Sequence, residues 1–158
     1  YTTLFRSMIR DQVNMTGKNP LVGHNPVGED GLELGPRFPD MGKLYDPEWR
    51  VQLASLIRAN GLSVHEGTYM GLLGPSFETP AEVQLYASWG MQAVGMSTVW
   101  EAIALKHSGA KIGGISLISN LGAGMGEGAA LDHLKILETC RASAARIMSG
   151  LTTFAEAL

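Results

Sequence analysis

Residues 91–120, MQAVGMSTVWEAIALKHSGAKIGGISLISN, decide the fold. They open on a short apolar strand, MQAVGM, and pass into a helix-forming run, STVWEAIALKHSG. They then return to an apolar strand, AKIGGISLIS. That last run is almost continuously apolar, the pattern of a strand covered on both faces. Strand, helix and strand in so short a span are the repeating unit of an α/β domain.

The same alternation extends outward. SVHEGTYMGLLG (63–74) reads as a strand ending in glycine, and TPAEVQLYASWG (79–90) as a helix with Thr79 as cap and Pro80 at its first position. DPEWRVQLASLIRANG (46–61) carries the same signals, with Asp46 as cap, Pro47 next and Gly61 as the stop. Residues 8–13 read as a short strand. Residues 16–46 are rich in Gly, Pro, Asn and Asp, and are too long for an ordinary connection. A final amphipathic helix runs from about Asp132 to Leu158, with Leu134, Leu137, Leu151 and Phe154 on one side. The reading is one α/β domain with a mainly parallel or mixed sheet. Such sheets bind ligands beyond the carboxyl ends of their strands. Three loops are expected there: GPSFET (74–79), VGMST (94–98) and SNLGAGMGEG (119–128).

Composition narrows the function. A chain of 158 residues has single-domain length, and a net charge of −3 gives no general attraction to nucleic acid or anionic membranes. No apolar run reaches membrane-span length. The single cysteine, Cys140, rules out an internal disulfide, and a reducing, cytoplasmic compartment is expected. The glycine run NLGAGMGEG fails as a dinucleotide fingerprint, because Glu127 stands where the third glycine belongs when Gly122 is first. A glycine-rich gate is the better reading. His24, His65, His107 and His133 show no metal-ligand spacing, so no metal is expected. A nucleophile elbow and a phosphate loop of the Walker type are absent from the sequence as well.

Four motifs in order carry a more specific signal: GPSFETPAEV, AVGMSTVWE, SLISN and LDHLKILE. Together they resemble the second half of a trimeric, 6-oxopurine-specific purine nucleoside phosphorylase. NMTGKNPLVGHN and GPRFPDMGKLYD are similar to the long loop of its bacterial members. The resemblance implies a three-layer α/β/α fold with a mixed central sheet, its first half missing. It also implies phosphorolysis of the N-glycosidic bond of inosine, guanosine and their deoxy forms, with inorganic phosphate as co-substrate and no cofactor. The intact protein is expected to be a homotrimer in purine salvage.

The residues suit that chemistry. Glu78, at a strand-to-helix corner, is placed to accept N1–H of a 6-oxopurine; without the resemblance it reads as an acid at a helix N-terminus. Phe77 lines the base pocket or packs in the core. Asn120 offers a donor to O6 and an acceptor to N7–H, stabilising the base as it departs with negative charge. Asn where methylthioadenosine phosphorylases usually carry Asp points to a 6-oxo rather than a 6-amino base. Met96 is implied to lie against the ribose. Ser97, read as the cap of the next helix, is implied to contact phosphate. His133, beside the expected cap Asp132, is implied to bond the ribose 5′-hydroxyl as a neutral ring. Two other readings stay open, a non-catalytic purine-binding remnant and an interaction domain on the same scaffold. A methylthioadenosine phosphorylase-like enzyme is the alternative within the family.

Departures are specific too. Gln12 stands where many members have His, and Trp100 where they have Pro. No residue of the shortened long loop is assigned to a neighbour's ribose site. Residues 1–7, YTTLFRS, match in frame a translation of a common DNA-sequencing adapter and are expected to be foreign to the fold. Residues 8–158 are then the C-terminal part of one phosphorylase domain. That piece would lack most of the phosphate site and be inactive alone.

Overall fold

Strands and helices alternate through the computed structural model, which describes residues 5–126 together with 141, 144, 147, 148 and 151–156. Among the described residues the order is β1 (Phe5–Asn14), α1 (Pro47–Ala59), β2 (His65–Gly71), α2 (Pro80–Ser88), β3 (Ala93–Gly95), α3 (Val99–His107) and β4 (Ile115–Ile118). The strands form one sheet in the order β3-β2-β1-β4. β1, β2 and β3 are parallel and β4 is antiparallel to β1, so the sheet is mixed, as the sequence indicated.

Sheet packing follows from adjacent residues of β1. Met8 and Ile9 are 0% and 1% exposed and point to opposite faces. Met8 joins Leu53, Ala54 and Ile57 of α1, with Leu62, Val64 and Phe154. Ile9 joins Tyr69, Ala93, Val99 and Ala102 of α3, with Leu44 and Tyr45 from the end of the long loop. Helices thus cover both faces, which is the layered architecture expected. One extra residue interrupts the β1–β2 ladder. Ile9 pairs with Gly67 and Asp11 with Thr68, leaving Arg10 as a bulge. A bulge bends its strand. It also puts Gln12 on the same face as Ile9. From there Gln12 Nε2 donates to Val99 O (3.3 Å) and its Oε1 accepts from Tyr45 Oη (2.7 Å).

Helix ends obey local chemistry. Asp46 accepts from Trp49 N at 2.8 Å, with Pro47 at the first position. That backbone bond, helped by Lys111, holds the Asp46 carboxyl below its usual range. Arg50 of α1 ion-pairs with Glu66 of β2 at 3.1 Å, without the alignment of a hydrogen bond. Phe154, in the helical stretch 151–156, meets Trp49 edge to face at 5.2 Å and 86°. Asp132, His133 and Cys140 lie outside the described residues. No described helix is long and apolar enough to cross a membrane.

Three sequence expectations change. β1 is ten residues long and begins at Phe5, pairing backbone to backbone with Ile118, rather than at residue 8. β4 is not covered as fully as its apolar run suggested. All four of its residues are half-buried, because among the described residues it has one strand neighbour and stands at the sheet edge, while Met8, Ile9 and Met70 are the deepest strand residues. The loop after β4 also leaves from the opposite end of the sheet to those after β2 and β3. The chain returns from α3 through Ile112, whose carbonyl accepts from Asp46 N (2.8 Å), and Gly114, whose carbonyl accepts from Ile9 N (2.9 Å). Entering beside the middle of β1, it can continue only back toward Phe5.

Candidate active site

The β2–α2 connection begins with a close approach. Gly74 has φ +64°, and a Cβ there would collide with the Met96 sulfur. Glycine therefore serves both the backbone conformation and the contact with the next loop. Phe77 and Glu78 follow, just ahead of the Thr79 cap. Two acids compete for that cap, and Glu82 takes it. Thr79 N donates to Glu82 Oε2 at 2.7 Å, and Glu82 N donates to Thr79 Oγ1 at 3.3 Å. The Thr79 backbone bond holds the Glu82 carboxyl low. Glu78 is thereby released from capping. It is half-buried, and among the described residues it has no hydrogen-bond partner. Its carboxylate oxygens remain open acceptors.

The β3–α3 connection is tighter. Gly95 lies so close to Tyr69 Oη that a side chain would not fit. Met96 and Ser97 come next, 41% exposed and exposed respectively. Thr98, not Ser97, is the residue that precedes the helix, and it makes no side-chain cap. Its φ of 76° and ψ of −48°, with Val99 N donating to Ser97 O at 2.8 Å, form a γ-turn of the strained, positive-φ kind. The sequence reading of Ser97 as cap fails here, because the γ-turn consumes Ser97 O and turns its hydroxyl to Thr98 Oγ1 at 3.1 Å. A β-branched residue in this conformation is an outlier, and such outliers gather at functional sites.

The β4 end supplies Asn120, exposed, with its carboxamide held on both sides. Ser119 Oγ donates to Oδ1 at 2.7 Å, and Nδ2 donates to Leu121 O at 2.9 Å. Residues 121–126 then turn against α2. Met125 N donates to Gly122 O, Gly122 abuts Val83, and Gly124 (φ +77°) abuts Pro80.

These three connections enclose one cleft of about 590 Å³. Phe77, Glu78, Met96, Ser97 and Asn120 all line it. His133 lies outside the described residues. The sequence reading missed the apolar rim: Leu121 and Met125, 60% and 51% exposed, also face the cleft from within the glycine run. Their signal was present, two large apolar side chains in a loop otherwise built of small residues. A smaller recess of about 180 Å³ adjoins Met96 and Ser97 and is walled by Leu72, Leu73 and Trp100. The Trp100 indole reaches it by donating to Thr16 Oγ1 at 2.9 Å, tying α3 to the segment after β1.

The arrangement offers an exposed aromatic face, an unpartnered carboxylate and an oriented carboxamide around one space. That is a donor and acceptor set for a planar heterocycle with an N–H and a carbonyl. Comparison with known proteins identifies the family. The purine nucleoside phosphorylase 1 of Geobacillus stearothermophilus is 42% identical over 132 residues, covering 84% of this chain and 46% of that protein. The Bos taurus purine nucleoside phosphorylase is 42% identical over 118 residues, covering 72% and 39%. The crystal structure of Schistosoma mansoni purine nucleoside phosphorylase in complex with inosine superposes with a TM-score of 0.85 at 30% identity, covering 97% of this chain and 54% of that one. The same protein's complex with adenosine gives the same score. The chain thus spans about half the length of the curated relatives it matches. The sequence profile of the phosphorylase superfamily matches residues 7–155, and the chain belongs to that family, as a partial representative related to purine nucleoside phosphorylases.

Proposed function

We propose that this chain carries the base and ribose contacts of a purine nucleoside phosphorylase acting on 6-oxopurine nucleosides. The observation that supports it is the convergence of Phe77, Glu78, Met96, Ser97 and Asn120 on one cleft from three separate connections. In this reading Phe77 covers the base, and Glu78 accepts N1–H. Asn120 donates Nδ2–H to O6 and accepts N7–H at Oδ1. Met96 backs the ribose and Ser97 meets phosphate, while His133 bonds the 5′-hydroxyl. The C1′–N9 bond loosens first, its electron pair leaving with the base, which takes up a proton through solvent in exchange for the one that the attacking hydrogen phosphate gives up. Phosphate then bonds to the cationic C1′ from the opposite face. Inorganic phosphate is the only co-substrate and no cofactor is required. The working protein is a cytoplasmic homotrimer of purine salvage.

The test is steady-state phosphorolysis of inosine by the full-length protein that contains this segment. Asn120→Ala is expected to lower kcat by about 10²–10³, as loss of a preorganised donor to developing charge does. Ser97→Ala is expected to cost less. Equal small losses in both variants would reject the assignment. The 158-residue chain alone is expected to bind hypoxanthine saturably without releasing it from inosine. Saturable base binding with full activity absent from the whole protein would favour the purine-binding remnant instead.

A further inference from the structure

We infer that Ser119 is a positioning residue that sets the Asn120 carboxamide before any base arrives. The inference rests on the base-binding reading above and adds a residue to it. Asn120 is exposed, so packing does not hold its side chain. Two hydrogen bonds from its chain neighbours do. The Leu121 carbonyl takes one Nδ2–H at 2.9 Å, and because a carbonyl can only accept, it fixes which end of the amide is nitrogen. The Ser119 hydroxyl donates to Oδ1 at 2.7 Å and stops the plane from swinging about that single anchor. One Nδ2–H and one Oδ1 lone pair are left unused on a side chain that lines the cleft. Those are the donor and acceptor needed for a carbonyl beside an N–H on one edge of a heterocycle. The hydroxyl also polarises the amide it touches, strengthening the remaining N–H as a donor where negative charge develops.

Thr and Val are near-isosteric, so substituting each at 119 separates the hydroxyl from the packing. The first readout needs no ligand: the NMR order parameter of the Asn120 side-chain NH2 in the 158-residue chain. Wild type and Ser119→Thr are expected to be ordered, and Ser119→Val to fall into the flexible range, below roughly 0.6. The second is hypoxanthine titration of the same three proteins. Ser119→Val is expected to bind roughly fivefold to tenfold more weakly, the worth of one hydrogen bond's ordering, while Ser119→Thr matches wild type. An equally ordered amide in Ser119→Val, or unchanged hypoxanthine affinity in a disordered one, overturns the inference. If wild type binds no hypoxanthine, the base-binding reading fails, and the order parameters alone then decide whether Ser119 positions Asn120.

Discussion

The γ-turn at Thr98 makes a prediction that runs against ordinary helix-start chemistry. Removing a β-branched hydroxyl residue just before a helix usually destabilises, because such residues cap. Here the side chain does not cap, and its Cβ sits at φ 76°. Thr98→Ala and Thr98→Gly both lose the Oγ1 contact with Ser97, so that contribution cancels between them. Alanine keeps the Cβ in a conformation that costs about 1–2 kcal/mol. Glycine relieves it, less about 0.5–1 kcal/mol for its greater freedom in the unfolded chain. The glycine variant should therefore be the more stable of the two, by about 0.7 kcal/mol at the centre of these ranges. That is a difference of about 1–3 °C in Tm for a domain of this size. Urea unfolding followed by tryptophan fluorescence measures it, since Trp100 lies two residues away. An alanine variant as stable as the glycine variant would refute the strain.

Other consequences are sharper in sign than in size. Phe154→Ala should cost about 3–5 kcal/mol by opening the α1 face beside Trp49, and calorimetric unfolding would show it. A loss below about 1 kcal/mol would mean the contact contributes little. Tyr45→Phe strips the partner from Gln12 Oε1 and should cost about 1–3 kcal/mol, with Gln12→Leu in the same background recovering part of it. Burial already pushes the Tyr45 phenol well above its usual range, so no phenolate contributes at neutral pH. The lowered Asp46 carboxyl stabilises the fold above its unfolded pKa, and that contribution is lost as pH falls through the still lower folded value. The stability of wild type should thus fall more steeply than that of Asp46→Asn on acidification below about pH 4. Parallel curves would place the effect elsewhere.

The sequence told more about element ends than about the sheet. Asp46–Pro47 and Thr79–Pro80 mark their helices because capping and a fixed proline φ are local properties, and both helices begin as read. Ser97 misled because the same residue types cap ordinary helices, and nothing in STV announces a γ-turn. β4 misled because apolarity reports what a strand can bury, not how many neighbours it has. Its direction was invisible for a related reason: the pairing of Ile115–Ile118 with Phe5–Met8 is a contact across more than a hundred residues of chain. The loops bearing Phe77, Glu78, Met96, Ser97 and Asn120 were legible as connections that follow strands, and the structure brings all five residues to one cleft. Their meeting in one cleft rests on pairings between strands far apart in the chain, which no short-range pattern encodes.

Arg10 carries a consequence for how β1 tolerates changes of length. It is exposed, and between Ser7 and Asn14 it is the one residue skipped by the β2 ladder. Deleting it would let Asp11 follow Ile9 in regular pairing, and every later residue would keep the side of the sheet it has now. Deleting Asp11 instead would bring Arg10 opposite Thr68, with the same result for the residues beyond. The strand thus separates two properties that a uniform ladder would tie together, its sidedness and its curvature. A chain lacking Arg10 should keep both hydrophobic faces yet lose the bend the bulge puts into β1.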